Sequence, residues 1–214
     1  MKTEAEGAYE ISWSVAHLGD DATDADLVKF EGWEKTMGLI SRDLPPLPSP
    51  VIFEANAATL RTSDFPSSDV SWPIVSRRML KALCSAGEFA HRELFVAMID
   101  DTIPTERRFD AQGKLLSGVA DDGFVALQLL DPLDVIDWKL SVFDKSELAP
   151  GLDVTFFNKI VLRGNAAKFP PMFRVTDAPN RLFISEAAKK AFERSRLQGI
   201  ELTPVAVTAV EPVP

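Results

Sequence analysis

Ile74 to Leu83 reads I-V-S-R-R-M-L-K-A-L, and Phe183 to Phe192 reads F-I-S-E-A-A-K-K-A-F. The two stretches align without gaps, matching Ser76 with Ser185, Lys81 with Lys190 and Ala82 with Ala191. Each has a short apolar lead, a serine, and then apolar residues at helical spacing: Met79, Leu80 and Leu83 in the first, Ala188, Ala191 and Phe192 in the second. A serine ahead of such a run caps a helix, because its side-chain oxygen accepts a backbone N–H that the first turn leaves unpaired. Gly87 and Gly199 are the expected helix stops. Strand, serine cap, helix, glycine and strand therefore occur twice, which makes an internal strand-helix-strand duplication a candidate reading.

Working outward, Glu10 to Val15 (E-I-S-W-S-V) alternates so that Ile11, Trp13 and Val15 share one face of a strand. Glu93 to Ile99 is almost continuously apolar and predicts a strand buried on both faces. Gly123 to Leu130 and Thr155 to Leu162 each predict a strand, and Arg181 to Ile184 and Ile200 to Val207 flank the second capped helix. Gly19 to Asp26 has turn chemistry, and Asp100 to Asp122 reads as a long polar excursion or hairpin. Four prolines between Arg42 and Pro50 favour an extended connector. The expected fold is α+β, with helices packed on a mixed or mostly antiparallel sheet. The expected organisation is an acidic, β-rich portion with its proline-rich connector at residues 1–71, followed by an α+β domain at residues 72–214.

Charge is unevenly placed. Met1 to Val75 holds 5 Lys and Arg against 13 Asp and Glu, whereas Ser76 to Pro214 holds 18 against 19. An acidic surface repels nucleic acid and attracts cationic partners. No apolar run approaches the ~20 residues that cross a bilayer as a helix, so no membrane role is expected. The N-terminus carries acidic residues where a signal peptide needs a basic region, and the single cysteine, Cys84, fits a reducing compartment. The expected location is cytoplasmic.

Reactive groups are few. The histidines are His17 and His91, and neither has a second ligand at zinc-site spacing. Both read as surface or satisfied core residues. Cys84 falls inside the first predicted helix beside core positions and reads as packing rather than as a nucleophile. The glycine-rich phosphate loops and the G-x-S-x-G elbow are missing from the sequence. Asp20, Asp21, Asp24 and Asp26 depart from the spacing of a calcium loop and read as an acidic turn. Asp131, Asp134 and Asp137 recur every third residue, but Pro132 argues against a helix that would stack them. No catalytic, metal or cofactor residue is assigned.

Several short motifs stand in a recognisable order: P-I-V-S-R-R-M-L-K-A-L from Pro73, F-V-A-L-Q-L-L from Phe124, L-D-V-I-D-W-K-L-S from Leu133, P-P-M-F-R-V from Pro170, and L-F-I-S, a helix and G-I-E-L-T-P-V between Leu182 and Val205. Over Trp72 to Val205 the chain resembles the immunity-protein family of bacterial polymorphic-toxin systems, a group first catalogued as a domain of unknown function. The resemblance implies a protein that is not an enzyme and that binds and neutralises a cognate toxin. It transfers no catalytic residue. Asp134, Asp137 and Ser141 read as groups that satisfy backbone in a turn. Many toxins act on nucleic acids through basic clefts, so Asp20, Asp21, Asp24 and Asp26 are the expected partner-binding residues. The alternatives are a small hydrolase using paired carboxylates and an adaptor that scaffolds an effector for secretion.

Overall fold

The computed structural model describes residues 5–13, 25–149 and 152–208. Its strands are β1 (Ala5–Trp13), β2 (Ala25–Leu27), β3 (Val51–Ala55), β4 (Ile74–Ser76), β5 (His91–Asp100), β6 (Ala120–Asp121), β7 (Phe124–Leu129), β8 (Val142–Ala149), β9 (Leu152–Lys159), β10 (Val161–Arg163), β11 (Met172–Val175), β12 (Ala178–Ser185) and β13 (Ile200–Thr208). The α-helices are α1 (Ala57–Leu60), α2 (Arg77–Ala86) and α3 (Glu186–Ser195). The fold is α+β. One sheet has the order β10-β13-β1-β12-β11, the other β2-β3-β5-β7-β4 with β6 on β5, and β8 and β9 form a separate hairpin.

Both predicted helices form where their serines place them. The Ser76 side chain accepts the Met79 N–H at 3.0 Å, and that of Ser185 accepts the Ala188 N–H at 3.3 Å. Gly87 ends α2 as expected. Gly199 does not end α3: Arg196 takes the left-handed cap position at φ 51°, and its N–H reaches the Glu193 carbonyl. Gly199 is needed further on, where a Cβ would come within 2.8 Å of the Ser63 Cα at a φ of +70°.

The strand pairing repeats. β4 and β5 are joined through α2 and separated by β7, which is antiparallel to both. β12 and β13 are joined through α3 and separated by β1, again antiparallel to both. Beyond β5 lies β3, parallel to it, and beyond β13 lies β10, parallel to it. The series β3-β5-β7-β4 and β10-β13-β1-β12 thus match in position and direction. They differ in where the central strand comes from. In the first unit it follows β5 in the chain, and in the second it is the first strand of the protein. Residues before Trp72 therefore supply β1 to one sheet and β2 and β3 to the other.

Helices α2 and α3 pack on each other between the sheets. Met79 and Leu83, Ala188 and Phe192, Tyr9 and Ile11, and Leu127 and Ile184 share this central core. Each sheet is also covered outside. Phe53, Trp72, Met98 and Ala126 are buried with Leu39, and the expected connector packs Leu44 and Leu47 against them. Phe173, Phe183 and Val205 are buried with Ile136 and with Phe157 of the hairpin.

Several local readings need correction. Thr155 to Leu162 is two strands that part at Ile160, because β9 pairs with β8 while β10 joins β13. The apolar run of β5 is buried on both faces only from Val96 to Ile99, and Phe95 is 60% exposed. Ala25 and Asp26, expected in a turn, pair with β3 as part of β2.

Polar groups fix the seams. Asp64, only 4% exposed, accepts from Ser76 Oγ at 2.5 Å, from the Gln198 backbone N–H at 2.8 Å and from two nitrogens of Arg78. Burial pushes this carboxyl up, but the hydrogen bonds of Arg78, Ser76 and Gln198 outweigh it and hold it below its ordinary range. Arg174, also buried, donates to the Pro179 carbonyl and, at 2.6 Å, to that of Gly38, and burial lowers its pKa to about 10. The carbonyl contacts give the F-R element a structural use.

Candidate functional site

Helix α2 buries Met79, Leu80, Ala82 and Leu83 and leaves Lys81, Cys84 and Ser85 on the opposite stripe. Cys84 is therefore exposed, contrary to the packing role expected of it. The reason is angular: residues three and four after Lys81 share its face, and Lys81 belongs in solvent. Past Gly87 the chain turns into β5, and the ring of Phe89 stacks on that of His91, with centroids 4.1 Å apart and planes 13° from parallel. His91 Nδ1 lies 2.9 Å from the Phe89 carbonyl oxygen, which makes it the satisfied histidine expected.

This turn forms one wall of an open groove of about 730 Å³ between the two units. The end of β7 and the start of β11 supply an apolar floor of Leu129, Met172 and Phe173. Its formally charged lining residues among the described ones are Glu88 and Asp131, both acidic, and no lysine or arginine lines it. At its edge Arg42 donates to Asp131 Oδ1 at 2.8 Å and to the Leu130 carbonyl at 2.9 Å.

A second surface lies at the root of the hairpin. Leu140 in the turn before β8, Val142 in β8 and Phe156 in β9 are 49%, 53% and 49% exposed, and Phe156 faces away from its neighbour Phe157, on which Trp138 packs. Trp138 is held edge-on against Phe143 at 5.1 Å and packs on Phe157 at 5.5 Å. Sequence reading assigned this stretch to turn chemistry and missed the surface. Residues 138–140 form a turn, so no strand or helix period assigns their side chains to a face, and the sequence carried no signal for this surface.

The sequence-predicted acidic residues divide. Asp20, Asp21 and Asp24, like His17, lie outside the described residues. Asp26 is exposed in β2, opposite Glu54. Asp131, Asp134 and Asp137 do not converge on one another. Asp131 binds Arg42, and Asp134 meets Arg163 at 3.4 Å. Asp137 accepts from the Lys139 and Leu140 N–H groups and from Thr208 Oγ1. Ser141 Oγ accepts the Val161 N–H at 3.0 Å. Asp137 thus satisfies turn backbone as expected, whereas Ser141 serves the backbone of β10 and Asp134 makes an ion pair.

Among the described residues no three His, Cys, Asp or Glu side chains gather where they could hold a metal ion, and no helix is long and apolar enough to cross a membrane. No protein-family model matches the chain, and no curated protein matches it.

Proposed function

We propose that this protein is an immunity protein that binds and neutralises a cognate bacterial toxin and performs no catalysis. The observation that carries this reading is the exposure of three large apolar side chains, Leu140, Val142 and Phe156, on the hairpin and the turn that leads into it. Half-exposed large apolar side chains suit contacts that another protein covers. The resemblance over Trp72 to Val205 supplies the kind of partner. The acidic segment with Asp20, Asp21, Asp24 and Asp26 suits a toxin with a basic cleft, since opposite charge speeds encounter. A free, exposed Cys84 suits a reducing cytoplasm. The carboxylate-hydrolase alternative draws no support from Asp131, Asp134 and Asp137, each committed to a different partner.

We also propose that the two strand-helix-strand units descend from one duplicated unit. Their matching strand order and equivalent serine caps support this.

The functional test is growth of a host that co-expresses this chain with the product of the gene adjacent to its own. The wild-type chain should restore growth. Leu140→Lys and Phe156→Lys should abolish protection while moving the unfolding free energy by no more than about 0.5 kcal/mol, as surface substitutions do. A wild-type chain that gives no protection refutes the immunity reading, and full protection by both variants removes the hairpin from the interface.

A further inference from the structure

The groove between the units combines features that one side chain would satisfy together. Its lining is largely apolar, with Phe89, Leu133 and Pro170 only partly buried, and suits an aliphatic stem. The Phe89–His91 stack offers a flat aromatic face, on which a planar guanidinium packs better than a compact, strongly hydrated ammonium. The charges on its walls, Glu88 and Asp131, are both negative. Asp131 is already paired with Arg42, so Glu88 is the wall charge left for an incoming cation.

From these observations we propose that the groove is a docking site for an arginine-bearing segment of a partner protein, with the arginine stem on the apolar lining and its guanidinium between the aromatic stack and Glu88. This rests on the reading that the protein acts by binding another protein. It adds a second contact surface and a chemical class for what enters it.

Cys84 lines the groove, is exposed and is the only cysteine of the chain, so its reaction rate with a disulfide thiol reagent reports on occupancy without background. The probe is a blocked hexapeptide alternating arginine with leucine, with glutamate-leucine and lysine-leucine peptides as comparisons. The arginine peptide should slow the Cys84 reaction several-fold and saturably, the lysine peptide less, and the glutamate peptide not at all. Glu88→Gln, which removes one wall charge without touching the Arg42 pair, should weaken the arginine effect at least threefold in half-saturating concentration, with the unfolding midpoint unchanged. Raising salt should weaken it further. An unchanged Cys84 rate up to millimolar arginine peptide, or equal protection by the arginine and glutamate peptides, overturns the proposal. The assay uses no toxin, so its failure is separate from a failure of the immunity reading, which appears as lost growth protection.

Discussion

Asp64 is a nearly buried carboxylate whose acceptors are filled from three directions. Ser76 and Arg78 come from the start of α2, and the Gln198 N–H comes from the turn after α3. It therefore ties the two units together as well as capping one helix. Asp64→Asn keeps the shape and removes the charge, so it should cost about 2 kcal/mol at pH 7, the scale of hydrogen bonds to an ionised group. The sign of the pH effect follows from its lowered pKa. A carboxyl depressed in the folded state contributes stability that is complete above its unfolded value and is lost as pH falls through the folded one. In urea denaturation, the gap between wild type and Asp64→Asn should thus be widest at neutral pH and close in acid, below the ordinary aspartate value of 3.8. A gap independent of pH would show that charge is not what Asp64 contributes. None of this was legible locally, because Asp64 is far from Gln198 in sequence and sits in a stretch with no periodic pattern.

At the scale of elements, the two caps allow a direct comparison. Ser185→Ala removes the acceptor for the Ala188 N–H and should cost about 1 kcal/mol. Ser76→Ala removes the equivalent acceptor and also the donor to Asp64, so its loss should exceed that of Ser185→Ala by about 1 kcal/mol or more. Equal losses in chemical denaturation would mean that the Asp64 contact contributes nothing beyond the cap. At the other end of α3, Arg196 holds a left-handed conformation that glycine adopts without a Cβ penalty. Arg196→Gly should raise stability by about 0.5–1 kcal/mol, read as a higher unfolding midpoint at unchanged denaturant slope. The caps and helices were readable because their signals lie within a few residues. The break between β9 and β10 was not, since each half of T-F-F-N-K-I-V-L has strand character and only the choice of partner separates them.

For the whole molecule, the consequential strand is β1. It lies between β12 and β13, with Tyr9 and Ile11 in the central core and Tyr9 Oη donating to Glu186 at 2.6 Å. Without it, β12 and β13 lose the strand that separates them and present unpaired edges. A chain lacking residues 1–13 should therefore lose cooperative unfolding, and a synthetic peptide of residues 5–13 added in trans should restore it, as followed by circular dichroism during thermal melts. A truncated chain with the wild-type midpoint would show that the sheet closes without β1. The corresponding place in the other sheet is filled by β7, whose six residues are all buried.

By itself the sequence determined the local elements: the serine-capped helices α2 and α3, the strands around them, the mostly apolar β7 and the α+β class. These follow from hydrogen-bonding groups and apolar periodicities that act over a few residues. Only the tertiary structure decided which strands became neighbours: that β1 enters the sheet of β12 and β13, that β3 lies parallel to β5, and that residues before Trp72 are built into both sheets. The same holds for surfaces. Cys84 is exposed because of which face of α2 meets α3 and the sheets, and the groove of Phe89, His91 and Met172 joins residues from both units. Strand partnership and surface exposure depend on contacts between distant parts of the chain, and a linear pattern carries no record of which distant face will cover it.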